Sequence, residues 1–129
     1  MKDTKRTESA EEFIKRKEQE YKKVKPIPMK DIGRKGKHYF IREAYVFMKQ
    51  SNLPEKVFVL ERLRKIKTEG ELSNNNANIG TIEYRVGYYM IGKIGRMNGK
   101  WLWGQFCPLI PKEDFEKLIR LAKQKRVIR

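Results

Sequence analysis

Residues 81–94, the pair Asn98 and Gly99, and residues 100–107 constrain this chain more tightly than anything else in it. Both runs are rich in aromatic and β-branched side chains. Asn-Gly between two such runs is the strongest short hairpin signal, because a type I′ turn needs positive φ at both central residues. With a two-residue turn, Met97 faces Lys100 and the register follows. Trp101 then stands opposite Arg96, Trp103 opposite Ile94, Gln105 opposite Gly92 and Cys107 opposite Met90. Tyr88, Val86 and Tyr84 continue that face, which is nearly all apolar and is the expected core face. The other face carries Leu102, Phe106, Ile91, Tyr89, Lys93 and Arg85, a mixed set suited to a ligand or a second layer. Gly92, Gly95, Gly99 and Gly104 lack the turn into a helix that a phosphate loop requires. They read as bends or as places where backbones approach closely.

Pro108 and Pro111 stop the second strand, and residues 112–126 read as a helix. Phe115, Leu118, Ile119 and Ala122 fall at i, i+3, i+4 and i+7, an amphipathic stripe. Glu113, Asp114 and Glu116 in the first turns and Lys123, Lys125 and Arg126 in the last suit the helix dipole. The expected seat for this stripe is the apolar face holding Trp103, Ile94 and Met90.

Upstream, residues 9–24 read as a second helix. Ser9 and Glu12 have capping-box spacing. Glu11 with Lys15, Glu12 with Arg16 and Glu18 with Lys22 are i,i+4 pairs in the favourable order. The apolar stripe of Phe13, Ile14, Tyr21 and Val24 is narrow, so this helix is expected to lean only weakly on the rest, and residues 1–25 to be dispensable for folding. Pro26 and Pro28 end it, and a loop with Gly33 and Gly36 follows. Residues 39–49 and 56–67 are compatible with helix or strand; their β-branched and aromatic content favours strands. Residues 71–80, with Ser73 and three consecutive asparagines, read as a loop.

The fold class that results is α+β: a curved antiparallel sheet of about four strands packed by the C-terminal helix, with a charged N-terminal helix. Residues 1–30 form that helix and its linker, and residues 31–129 a single α+β domain. No family resemblance is visible.

Charge constrains function. Thirty-one Lys and Arg stand against sixteen Asp and Glu in 129 residues, a net charge of +15. Such an excess repels itself in a compact chain, and its usual counterpart is a polyanion. Residues 1–38 hold thirteen basic and seven acidic residues, 39–79 seven and five, and 80–129 eleven and four, so the excess sits toward both ends. Disorder does not follow from the charge, because the 11 % aromatic content supplies a core that disordered chains lack. The single cysteine, Cys107, rules out an internal disulfide and fits a reducing cytoplasm. No apolar run is long enough to span a membrane, and no secretory apolar segment follows the N-terminus.

The preferred reading is a sequence-tolerant nucleic-acid-binding protein, with DNA and RNA both open. Arg85, Lys93, Arg96 and Lys100 on the hairpin are the candidate phosphate contacts, joined by Lys123, Lys125, Arg126 and Arg129 on the tail. Trp101, near the turn, is the candidate stacking platform, whereas Trp103 is expected in the core. No cofactor is expected. His38 has no ligand spacing around it, and Cys107 is expected to pack as a small hydrophobe. Two alternatives stand beside this reading. One is a metal-dependent nuclease centred on Glu83, since such chemistry gathers carboxylates around a cation at a phosphate. The other is a protein-interaction module with an acidic partner. No membrane partner is expected, because no segment joins a basic face to a broad apolar one.

Overall fold

A computed structural model describes residues 6–29, 36–69 and 79–129. In chain order they form helix α1 (Ala10–Tyr21), strands β1 (Ile27–Met29), β2 (Lys37–Gln50), β3 (Leu53–Glu69), β4 (Ile82–Ile91) and β5 (Trp101–Trp103), and helix α2 (Lys112–Gln124). The strands pair antiparallel in the order β1-β2-β3-β4-β5, a meander that curls into a half-barrel. The α+β class holds, with five strands rather than about four. The additional strand is β1, which places Pro28 opposite Tyr39 at the sheet edge, where the missing amide donor is tolerated. Residues 71–78 of the expected loop lie outside the described residues.

The curl has a local cause. The β2–β3 ladder shifts register between Tyr39 and Phe40, between Arg42 and Ala44, and between Lys49 and Gln50. Each irregularity bends the strand and increases its twist. The middle shift also changes side-chain aim. Arg42 reaches the α1 side of the sheet, while Glu43 and Ala44 both serve the α2 side.

Both faces of the sheet are covered, and β3 is the centre. On one side Val46, Met48, Phe58, Leu60 and Tyr88 pack with Leu118, Ala122 and Val127 of the α2 segment. On the other, Phe47, Val57, Val59 and Tyr89 pack with Ala10, Phe13 and Tyr21 of α1. Residues 56–63 of β3 are all buried. A strand covered on both faces has no reason to alternate apolar with polar, which explains why this segment is ambiguous in the sequence.

Three expectations are corrected here. First, α1 does not lean weakly. Phe13 is 0 % exposed, Tyr21 is buried, and the ring of Trp101 stacks on Phe13 with centroids 4.6 Å apart. A narrow stripe suffices because its aromatic residues are large. The capping box is present, with Ser9 Oγ accepting from the Glu12 amide and Glu12 accepting from the Ser9 amide.

Second, the hairpin register is displaced by five residues. Trp103 pairs with Tyr89, Leu102 with Met90 and Trp101 with Ile91. Asn98 and Gly99 do form a turn, closed by the Lys100 amide on the Met97 carbonyl at 3.0 Å. Asn98 has φ −58° and ψ 128° and Gly99 φ +81°, which is a type II turn, not I′. Type II geometry splays the flanking chains, so a 3₁₀ turn at Gly95–Met97 intervenes before the ladder starts. An odd displacement exchanges faces. Trp101 and Trp103 therefore lie on the α1 side, and Tyr84, Val86, Tyr88 and Met90 on the α2 side.

Third, α2 seats on β2, β3 and β4 rather than on Trp103 and Ile94. Leu118 and Ala122 are fully buried, but Phe115 is 48 % exposed. Asp114 takes a buried place instead, its Oδ2 accepting the Ser51 amide at 2.8 Å and tying the start of α2 to the β2–β3 turn. Cys107 lies beyond the end of β5 and is exposed, not packed.

Two close approaches account for glycines in the sheet. A Cβ on Gly87 would stand 2.3 Å from the Trp103 ring, and one on Gly104 2.1 Å from the Tyr88 ring. Each ring lies against bare backbone, on opposite faces of the sheet.

Candidate nucleic-acid interface

The candidate cations occupy three places. Lys93, Arg96 and Lys100 sit around the hairpin loop, beyond Ile91 at one end of β4. Lys123, Lys125 and Arg126 sit at the end of α2, where Arg62 reaches the Arg126 carbonyl and pairs in register with Tyr84, near the other end of β4. The two ends of the β4 ladder are separated by roughly 30 Å at the usual rise per residue. Arg85 lies between them but projects to the α1 face, so the structure does not gather the set into one surface.

At the loop end, charges largely compensate. Lys93 is paired with Glu55. Arg96 and Lys100 are exposed. Lys100 borders a cleft of about 410 Å³ together with Arg6, Glu8, Arg16 and Trp101. There Arg6 donates to Glu12 at 2.7 and 3.0 Å, while Arg16 donates to Glu8 at 2.8 Å and to Glu20 at 3.0 Å. The Arg6 hydrogen bonds, with the Ser9 amide, push the Glu12 carboxyl down to about 2. Trp101 is committed as well. Its ring is stacked on Phe13, and its Nε1 donates to the Glu8 carbonyl at 3.1 Å. The more open indole is Trp103, 39 % exposed, edge-on to Tyr89 and with the Arg85 guanidinium 4.9 Å from its ring centre.

Arg85 belongs to a buried charge cluster. Glu61 is fully buried and holds two arginines. Arg85 donates Nε to its Oε1 at 2.6 Å and Nη2 to its Oε2 at 3.1 Å, and Arg42 donates Nε to Oε2 at 2.6 Å. The Arg42 guanidinium also lies 3.5 Å from the centre of the Tyr21 ring. Burial opposes the Arg85 charge, but the Glu61 hydrogen bonds and charge outweigh it and raise its pKa. Tyr21 bonds Tyr89, hydroxyl to hydroxyl, at 2.8 Å, and its pKa is raised first by burial and then by the Glu61 charge. This cluster ties α1 to the sheet. A phosphate reaching Arg85 would have to share it with Glu61.

The tail end is different. Arg62 is nearly buried; its Nη1 donates to the carbonyls of Arg126 at 2.7 Å and Val127 at 3.1 Å. These oxygens follow a helix end of Schellman type, in which the Val127 amide reaches the Ala122 carbonyl at 2.8 Å and the Arg126 amide the Lys123 carbonyl at 3.1 Å. Arg126 occupies the left-handed position, φ 59°, usually given to glycine. Arg62 Nε and Arg64 Nε both donate to Glu43. The Arg64 hydrogen bond, seconded by Arg62, holds the Glu43 carboxyl below its ordinary value. Arg62, Arg64, Ile82, Tyr84 and Arg129 line a cleft of about 300 Å³. Tyr84 is 44 % exposed there.

The tail cations are candidate contacts in the sequence and Tyr84 is one of the rings interleaved with the basic residues, though expected on the core face; Arg62 and Arg64 are not among the candidates. A signal exists: Glu61-Arg62-Leu63-Arg64 alternates within a strand, which sends both arginines to one face and the glutamate to the other. His38 is buried and Glu83 half-buried, opposite Leu63. Among the described residues, no group of three His, Cys, Asp or Glu side chains is placed to hold a metal ion. No helix among them is long and apolar enough to cross a membrane. Compared with protein-family models, curated proteins and solved structures, the chain matches none.

Proposed function

We propose that this protein binds nucleic acid with little dependence on base sequence, in the cytoplasm. The observation that carries the proposal is how the carboxylates are used. Glu43 and Glu61 each hold two arginines, and Glu8, Glu11, Glu12, Glu20, Glu55, Glu69 and Glu116 each hold at least one cation. With sixteen carboxylates against thirty-one cations, internal pairing leaves a large positive remainder. Arg96, Lys100, Lys123, Lys125, Arg126 and Arg129 are exposed and able to meet a polyanion. Phosphate contacts of this kind position a chain without reading bases.

The test is affinity for a generic labelled oligonucleotide over a salt series. Neutralising several phosphates releases counterions, so affinity should fall by orders of magnitude between about 50 and 200 mM salt. Absence of binding at low salt, or a flat response, refutes the proposal. Poly-glutamate competing as well as an unlabelled oligonucleotide would assign the charge to an acidic protein partner instead. Cleavage of the oligonucleotide with Mg²⁺ would restore the nuclease alternative.

A further inference from the structure

Resting on that reading, we infer that the cleft between β3, β4 and the C-terminal segment is a single-strand subsite: Tyr84 stacks on a base, and Arg64 and Arg129 hold the adjoining phosphates. The cleft is open and about 300 Å³, of the order of one nucleotide rather than of a duplex. Its lining combines the two elements that single-strand binding needs, a guanidinium pair for the backbone and an exposed aromatic face for the base. Arg62 and Tyr84 are direct cross-strand partners, as are Arg64 and Ile82. The ring and the charges are thus fixed by the β3–β4 ladder, not by a loop.

The three arginines have distinct tasks. Arg62 has little surface left, with Glu43 on one edge and two backbone carbonyls on the other, so it holds the chain end in place. Arg64 donates Nε to Glu43 and Nη1 to the Gly80 carbonyl at 3.2 Å, yet its side chain is 37 % exposed. Arg129 is exposed at the rim. Among the described residues, Glu43 is the one side-chain carboxylate paired with these arginines, and two of the three share it. The charge balance therefore favours an anion here, unlike the hairpin end, where Arg6 and Arg16 meet Glu8, Glu12 and Glu20. Tyr84 is also free of the duty that occupies Trp101, whose ring is stacked on Phe13.

The experiment measures fluorescence anisotropy with a labelled 15-nucleotide oligo-dT and with a 15-base-pair duplex, using the full chain. Tyr84→Ala should weaken single-strand binding about tenfold or more, the range of one lost base stack, and leave duplex binding within about twofold. Tyr84→Phe keeps the ring and should retain wild-type affinity. Arg64→Ala with Arg129→Ala should lower the salt slope by one to two. Should Arg64→Ala disturb the Glu43 pairing and the fold, the Tyr84 pair still decides, because that ring is at the surface. Single-strand binding unchanged by Tyr84→Ala, or lost equally in Tyr84→Phe, overturns the subsite while the general proposal stands. Failure of the wild type to bind either probe overturns both.

Discussion

Glu61 on β3 and Arg85 on β4 are register partners joined by two hydrogen bonds of 2.6 and 3.1 Å, and the same carboxylate, fully buried, also holds Arg42. The arrangement concentrates two cations on one anion inside the α1–sheet layer. Buried charges tolerate this only while they remain paired.

Removing the shared anion should therefore cost more than removing either cation. Glu61→Gln is expected to destabilise by about 3–5 kcal/mol, the usual range for breaking a buried pair. Arg85→Ala leaves Glu61 paired with Arg42 and should cost less. Urea denaturation of both variants checks this. Equal losses would mean that the two arginines do not depend on one carboxylate.

The N-terminal helix is a structural element. Phe13→Ala should cost about 3–5 kcal/mol, as for a buried aromatic truncated to Ala, because Phe13 touches both Tyr89 and Trp101. Deleting residues 1–25 should lower the thermal midpoint strongly, since Trp101, Tyr89 and Phe47 lose their cover. An unchanged midpoint would show that α1 does not seal that face.

On the opposite face, Leu118→Ala should cost about 2–5 kcal/mol, and Phe115→Ala should stay within about 0.5 kcal/mol as a surface change. The two positions lie on the same predicted stripe, yet only Leu118 is buried. Comparable effects at both would contradict the seating of α2 on β2, β3 and β4.

Gly87→Ala places a Cβ 2.3 Å from the Trp103 ring. The ring must shift, at a cost of about 1–3 kcal/mol, the typical range for overpacking. Combining it with Trp103→Ala should recover part of that loss, because the obstructing ring is gone. A double mutant with purely additive losses would argue against the contact.

Acid should destabilise the fold through depressed carboxylates. Glu43 titrates below its ordinary value of 4.5 in the folded chain, and Glu12 at about 2. A folded-state pKa below the unfolded one stabilises above the unfolded value and loses that contribution as pH falls. The thermal midpoint should thus decline from about pH 4.5 toward pH 2. Glu43→Gln should show a shallower decline, and a profile identical to wild type would remove Glu43 from the account.

Much of the local structure was legible in the sequence. The capping box of α1, the end charges of α2, the strand composition of β2 and β3, and the glycines at turns and close approaches each depend on a few neighbouring residues, and local physics decides them. The charge excess is likewise a property of composition, and it motivates a polyanionic partner without saying where such a partner sits. Tertiary structure decided the pairing and the faces. Whether Asn98 and Gly99 make a type I′ or a type II turn depends on how the Gly92–Lys100 segment closes on itself, and the five-residue displacement that results carries Trp101 and Trp103 to the α1 side, away from Tyr84 and Tyr88. Glu61, Arg42 and Arg85 come together from three strands. Arg64, Tyr84 and Arg129 meet from two strands and the chain end. Burial of Phe13 needs a sheet face that lies far away in sequence. Contacts across such separations leave no periodicity to read, because side-chain alternation reports which residues share a face and not which face meets which partner.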